Sequence, residues 1–295
     1  MTAAGVDIAP EIDPRSALEA IGCDEPANIV RIRGGWDTLI WRFELPDGSR
    51  HSLRIYWLPD REESSRKEEI ALRHCEAAGF PAPRVEAAAR YHDLPVLVLS
   101  WLPGRPLLSS AERRPWEIWR LARVMGRTQA RLHKVSPPAG FRQPGAGPWT
   151  QLVEPGYEHL AAEIRSYGLA ASALVHMDFH PNNVIVHRGR LSGVLDWAGA
   201  AAADPRADLA RTEITMETAP VPPGPLKPVF GAIRKVVLHG WREGYRSVRP
   251  LPDYKPFRRW AAASLLREVA RVMGRPDVWG DRAFVESLHR LARNG

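Results

Sequence analysis

The sequence predicts an α+β chain of two unequal parts: a small antiparallel sheet carrying one helix, then a larger, mostly helical part. Three observations lead there. From Asn28 to Trp101, short runs rich in β-branched and aromatic residues alternate with Gly, Asp and Pro turns, the pattern of consecutive strands. After Leu102-Pro103-Gly104-Arg105-Pro106 the apolar residues recur at helical spacing instead. At 295 residues the chain is long enough for each part to bury a core of its own.

Taken in order, strands are expected over 28–33 and 38–45, flanking the turn Gly34-Gly35-Trp36-Asp37. Asp47-Gly48 reads as a hairpin turn into a strand over 51–57. Residues 61–78 carry charges at helical spacing and stop at Gly79, a C-cap ahead of Pro81 and Pro83. Strands over 84–91 and 95–101 complete the sheet. Helices follow over 115–135, 157–167, 206–218, 229–246, 257–273 and 281–292. Two short strands, 183–187 and 191–196, lie among them, joined by Arg188-Gly189-Arg190. The Pro- and Gly-rich stretches 137–148 and 219–228 read as loops, so the domains are drawn at 1–102 and 103–295.

An apolar content of 44% with 25% charged residues is that of a globular chain and excludes wholesale disorder. The longest nearly unbroken apolar run, Leu94 to Leu102, is far short of a membrane span. The opening MTAAGVDIAPEIDP has early acidic residues, no basic flank and no apolar core; a cytoplasmic protein without a membrane partner is expected. Cys23 and Cys75 show no metal-ligand spacing and are expected as free thiols. The net charge of +7 is uneven: residues 1–102 carry 12 Lys and Arg against 17 Asp and Glu, and residues 103–295 carry 29 against 17. These basic residues are scattered and not interleaved with aromatics on one segment, so no dedicated nucleic-acid surface is expected.

The chemistry concentrates in HMDFHPNNVIV, residues 176–186, and GVLDW, residues 193–197. Asp178 and Asn183 share one loop, and Asp196 is expected at the end of the strand that returns beside Asn183. Two carboxylates and a carboxamide oxygen then face one point, a donor set that suits Mg²⁺ together with substrate phosphates. Phosphoryl transfer needs such positioning, and a remaining carboxylate can serve as the base toward an attacking hydroxyl. Two other readings stand beside this one. His176, Asp178 and His180 form an H-x-D-x-H set of zinc-ligand types, and both aspartates can be ordinary turn residues. His180 reads as a hydrogen-bonding loop histidine and His133 as a packing one. Asp204 before Pro205 suits a helix N-cap, with Asp208 supporting the loop.

H-x-D-x-H-x-x-N, then V-L-D-W, then Asp204-Pro205-Arg206-Ala207-Asp208-Leu209-Ala210 closely resembles the aminoglycoside phosphotransferase and choline kinase family, enzymes with a protein-kinase-like two-lobed fold. Further matches run in order along the chain: Gly34-Gly35-Trp36-Asp37, Leu53-Arg54-Ile55-Tyr56, Glu68, residues 79–85, residues 97–104 and Leu132-His133. The resemblance implies ATP and Mg²⁺ as cofactors, with Asp178 as catalytic base and Asn183 and Asp196 as metal ligands. It places Gly34 and Gly35 in the nucleotide loop and Arg54 on the ATP phosphates, held by Glu68. Backbone groups of Ser100, Trp101 and Leu102 would meet adenine. Residues 1–102 would be the nucleotide-binding lobe including the hinge strand, and 103–295 the lobe of the catalytic loop and acceptor site.

Two positions depart from the family pattern. Arg54 stands where lysine is usual, a fixed charge that still engages phosphate bidentately, and Met177 stands where a small residue, usually glycine, is common. They are the grounds for a second reading, a weak or inactive nucleotide-binding homologue. A protein kinase is a third, opposed by the seven residues between Asp196 and Asp204, which leave little room for an activation segment. The expected partner is a small-molecule hydroxyl acceptor (antibiotic, sugar or amino alcohol), taken by a monomer or homodimer. Polycationic acceptors favour a carboxylate-lined cleft. The basic second part argues for a neutral or anionic one, unless Glu154, Glu158, Glu163, Glu213 and Glu217 form an acidic wall.

Overall fold

Residues 10–32, 38–141, 147–220, 227–272 and 282–294 are described by a computed structural model. The chain divides into two units: Met1–Pro103 with Gly193–Gly199, and Gly104–Ser192 with Ala200–Gly295.

The first unit opens with α1 (Pro14–Ala20), a helix beyond those expected. It is set by Asp13, whose carboxylate accepts from the N–H groups of Arg15 (3.2 Å) and Ser16 (3.1 Å), with Pro14 at the first helical position. β1 (Ala27–Ile32), β2 (Thr38–Glu44) and β3 (Arg50–Tyr56) follow, then α2 (Arg61–Ala77), β4 (Val85–Tyr91) and β5 (Leu94–Ser100). All neighbours pair antiparallel in the order β1-β2-β3-β5-β4. The β2–β3 turn is held by Asp47, whose carboxylate accepts the Ser49 N–H at 2.8 Å. α2 stops in a Schellman motif: Gly79, at φ 65°, donates to Glu76 (3.0 Å) and Phe80 donates to Cys75 (2.8 Å). Leu18 of α1 joins Leu39, Phe43, Leu53, Ile55, Val96 and Val98 in one core. The inner strand β3 is thereby fixed in register, with Arg54 opposite Ile40 on β2 and Leu97 on β5.

The second unit contains β6 (Arg105–Pro106), α3 (Leu107–Arg113), a 3₁₀ turn over Pro115–Glu117, α4 (Ile118–Leu132), α5 (Glu158–Ser166), β7 (Ala173–Val175) and β8 (Val184–His187). β9 (Arg190–Val194) comes next, its last two residues belonging to the first unit. β10 (Ala201–Ala203), α6 (Pro205–Thr218), α7 (Lys227–Arg246), α8 (Arg258–Val272) and α9 (Arg282–Asn294) complete the described chain. β7 pairs with β10, and a second small sheet has the order β6-β8-β9. α4 and α7 meet backbone to backbone. A Cβ on Gly126 would lie 1.9 Å from the Trp241 carbonyl oxygen, and one on Gly244 would lie 2.2 Å from that of Arg123. Side chains at these positions would force the helices apart.

β9 ends at Val194, so Asp196 lies two residues past the strand rather than at its end, at φ 64°. The short elements β6, α3, β7 and β10 add to those expected. Gly34 and Gly35 lie outside the described residues, as do the expected helix ends at 273 and 281. Both cysteines are free, Cys75 buried and Cys23 half-buried. Among the described residues no helix is long and apolar enough to cross a membrane.

Candidate active site

In the second unit the loop between β7 and β8 carries Asp178 and Asn183. The Asn183 amide nitrogen donates to both the Asp178 carbonyl (2.9 Å) and its Oδ2 (3.0 Å). That commits the nitrogen and leaves the carboxamide oxygen as the atom able to face a cation. His180 Nε2 lies 3.3 Å from Asp178 Oδ2, and Asp178 keeps 39% of its side chain exposed. Burial pushes the Asp178 carboxyl up. The charge and hydrogen bond of His180, then Arg211 and His176, outweigh that and hold it well below the usual carboxylate range. The group is therefore ionised at neutral pH and able to accept a proton or orient a hydroxyl.

The loop is anchored from α6. Asp204 caps that helix, accepting the Arg206 N–H at 2.9 Å, with Pro205 at its first position. One turn on, Asp208 is fully buried. Its Oδ1 accepts the Met177 N–H at 2.5 Å, and its Oδ2 accepts from Gln129 (2.7 Å) while facing His133 Nε2 at 2.9 Å. His133 Nδ1 meets the Tyr245 hydroxyl at 2.9 Å, so this histidine belongs to a polar network rather than to apolar packing. Met177 sits at φ 66°, a left-handed conformation that costs a side-chain-bearing residue about 1–2 kcal/mol. This is a physical account of why a small residue is common there. His176 is fully buried, its Nδ1 taking the Asp178 N–H at 3.3 Å. No group of three or more His, Cys, Asp or Glu able to hold a metal ion occurs among the described residues, so H-x-D-x-H does not gather as a zinc set.

In the first unit Arg54 of β3 donates to Glu68 of α2, and Tyr56 donates to the other oxygen of the same carboxylate. Arg54 Nη2 also lies 3.6 Å from Asp196 Oδ1, and the Trp197 N–H reaches Glu68 at 3.4 Å. Arg54, Glu68 and Asp196 are thus brought together. Glu68 is 1% exposed, whereas its neighbour Glu69 pairs with Arg73 on the surface. Burial raises the Glu68 carboxyl's pKa, Arg54 offsets part of that, and Asp196 adds to the rise. At the expected hinge, the N–H of Ser100 already donates to Arg84 (2.9 Å) and that of Trp101 to Arg50 (3.0 Å). The Leu102 N–H has no such partner among the described residues. A cavity of about 590 Å³ between α2 and β4–β5, lined by Glu62, Arg66 and Val96 among others, includes none of Arg54, Glu68, Asp196 and Leu102.

Tyr56, Gln129 and Arg211 are the residues that the motif reading passed over. Tyr56 was within reach, because two residues along a strand returns to the face of Arg54. Three of the five candidate wall glutamates are paired with arginines. Glu213 is 3% exposed and takes donors from Arg242, Arg258 and Tyr254, while Glu217 pairs with Arg258 at 2.8 Å. Glu163 pairs with Arg259 at 3.1 Å, and Glu158 accepts the Gly156 N–H at 3.0 Å.

The fold, a small antiparallel sheet unit followed by a mostly helical one, is that of the protein-kinase-like phosphotransferases, and solved structures agree. A thermostable mutant of aminoglycoside phosphotransferase APH(4)-Ia, in ternary complex with ADP and hygromycin B, matches over 95% of this chain and 98% of its own, with a TM-score of 0.64 and 16% identity. Macrolide 2'-phosphotransferase MphH from Brachybacterium faecium matches over 95% and 97%, with a TM-score of 0.55 and 20% identity. A putative fructosamine-3-kinase from Thermobifida fusca matches over 94% and 97%, with a TM-score of 0.57 and 18% identity. Comparison with curated proteins gives no significant match. The model of the phosphotransferase enzyme family matches residues 28–251, and the chain belongs to that family. It is a small-molecule phosphotransferase.

Proposed function

We propose that the chain transfers the γ-phosphoryl group of ATP to a hydroxyl of a small molecule, with Mg²⁺. Asp178 carries the reading: an ionised, partly exposed carboxylate on a loop whose backbone is tied down on the Met177 side. Asp178 accepts the proton of the acceptor hydroxyl as that oxygen attacks phosphorus in line. Asn183, through its carboxamide oxygen, and Asp196, through its carboxylate, would hold Mg²⁺, which supplies charge neutralisation on the nucleotide phosphates when bound. Arg54, steadied by Glu68, offers its guanidinium to the phosphates. Because the Ser100 and Trp101 N–H groups are used within the sheet unit, the Leu102 N–H is the donor proposed for adenine.

Two observations disfavour the inactive-homologue reading: Arg54 keeps its pairing with Glu68, and Met177 is accommodated at the left-handed turn. Against a protein acceptor, the segment after Asp196 runs directly into β10 and α6. With Glu163, Glu213 and Glu217 each paired with arginine, a neutral or anionic acceptor is favoured over a polycationic one. Acceptor-dependent ADP release across aminoglycosides, macrolides, choline, amino alcohols and sugars tests the reading. With a verified acceptor, Asp178→Ala lowers kcat about 10²–10⁴-fold, the usual worth of a general base. Wild-type turnover in that variant sinks the assignment.

A further inference from the structure

Arg211 is a charged residue in mid-helix that the reaction as proposed does not use, yet it is only 4% exposed. Its three nitrogens are all engaged. Nη1 donates to Ser264 Oγ at 2.6 Å, Nη2 to Glu268 Oε2 at 2.7 Å, and Nε to the carbonyl of Met177. The last contact is the informative one, because an ion pair with Glu268 would stabilise α6 against α8 without it. Met177 is the residue held at φ 66°, and its carbonyl belongs to the peptide that leads into Asp178. Its N–H is held by Asp208, three residues before Arg211 and so on the same face of α6. One turn of helix therefore grips both backbone polar groups of this left-handed residue, from the two sides of its Cα.

A left-handed, side-chain-bearing residue persists only where its surroundings over-determine it. Asp208 fixes the N–H of Met177; of the peptide that follows, the N–H has only the long 3.3 Å contact with His176 Nδ1, and the carbonyl is held by Arg211. We infer that Arg211 is the positioning residue that locks the Met177–Asp178 peptide, and through it aims the Asp178 carboxylate at the acceptor hydroxyl. Lysine cannot substitute, since one ammonium cannot meet three partners in a fixed planar fork. The inference rests on Asp178 being the base.

The test compares Arg211→Met, Arg211→Lys, Met177→Gly and the double variants in the full-length chain. Amide hydrogen exchange over residues 174–183 needs neither nucleotide nor acceptor. It is expected to quicken about tenfold or more in both Arg211 variants, with α4 and α7 unchanged. With a verified acceptor, kcat falls about 10- to 100-fold while KM for ATP stays within about threefold. Glycine occupies the left-handed turn without being held there, so the kcat loss caused by Arg211→Met is several-fold smaller in the Met177→Gly background. Unchanged exchange over 174–183 overturns the inference, and so does faster exchange spread evenly through the second unit, which marks a merely structural arginine. An equal kcat loss in both backgrounds overturns it too. Arg211→Lys carries the comparison if Arg211→Met does not fold. Absence of turnover by the wild type with every acceptor counts against the phosphotransferase reading instead, and exchange then still decides whether the clamp exists.

Discussion

The backbone contact between α4 and α7 makes a graded prediction with its own internal control. A Cβ at Gly126 meets the Trp241 carbonyl oxygen at 1.9 Å and the Tyr245 nitrogen at 2.7 Å, both main-chain atoms that no rotamer change can move. An ordinary carbon–oxygen contact is about 3.4 Å or more, so the helices must part by roughly 1.5 Å. Overpacking of this kind costs typically 1–3 kcal/mol, and a clash with backbone belongs at the top of that range. Gly240→Ala meets Ala122 Cβ at 2.9 Å, the Trp119 ring at 3.1 Å and the Trp119 carbonyl oxygen at 3.3 Å; the ring can give way, and the other two need a backbone shift of only a few tenths of an ångström. About 1 kcal/mol is expected there. Gly231→Ala meets nothing within 4 Å, and in a helix interior it should stabilise by about 0.4–1 kcal/mol. In thermal melts of the full-length chain Gly126→Ala should lower Tm by roughly 6–12 °C, Gly240→Ala by roughly 2–4 °C, and Gly231→Ala should raise it slightly. Gly126→Ala should also lower kcat, because α4 and its C-cap residue carry the Gln129 and His133 side chains that hold Asp208. A Gly126→Ala protein that melts with or above wild type, or a Gly231→Ala protein that is the least stable of the three, would refute the packing argument.

Asp208 predicts an acid limb of stability. Burial alone would raise its pKa, but the hydrogen bond and charge of His133, then Gln129 and His176, bring it below the ordinary value. A carboxylate depressed in the folded state contributes stability that is present above about pH 4 and lost as pH falls through the folded value. Urea midpoints for Asp208→Asn should therefore lie below wild type at pH 7, and the gap should narrow as pH falls below about 4; a gap constant with pH contradicts this. The two thiols should separate chemically. Burial pushes the Cys75 thiol far above its ordinary pKa, and burial with the Asp24 charge raises Cys23 less. A thiol reagent at pH 8 should modify the half-buried Cys23 in the native protein and Cys75 only on unfolding, and equal rates would count against the buried position.

What the sequence disclosed was mostly local chemistry. The Asp47 turn, the Gly79 C-cap and the Asp204-Pro205 N-cap are each set by one or two side chains acting on their own backbone, so they could be read without knowing the fold. β6, β7 and β10 could not, being two or three residues long and stable only through their partners. Asp178, Asn183 and Asp196 stood out because carboxylates and amides in an apolar neighbourhood need a reason. Arg211 did not, because an arginine in a helix reads by default as solvated, and its burial is decided by Ser264 and Glu268, more than fifty residues away in sequence. Leu102 emerged from Ser100 and Trp101 only when strand pairing showed whose N–H groups were already used.

Residues 193–199 belong to the first unit although the second supplies most of the chain on either side of them. That return sets an order on synthesis. When the first 103 residues leave a ribosome the sheet can pair, but Trp197 has not been made. This fully buried ring stands edge-on to Phe80 at 5.8 Å, and the backbone N–H of the same residue reaches Glu68. The pairing of Arg54 with Asp196 is likewise deferred until roughly two thirds of the chain exists. The nascent sheet must therefore wait, incomplete, for its last segment. Any chimera that exchanges this unit between relatives has to carry two pieces of sequence, since a graft cut at Pro103 would leave behind the tryptophan and the aspartate that complete it.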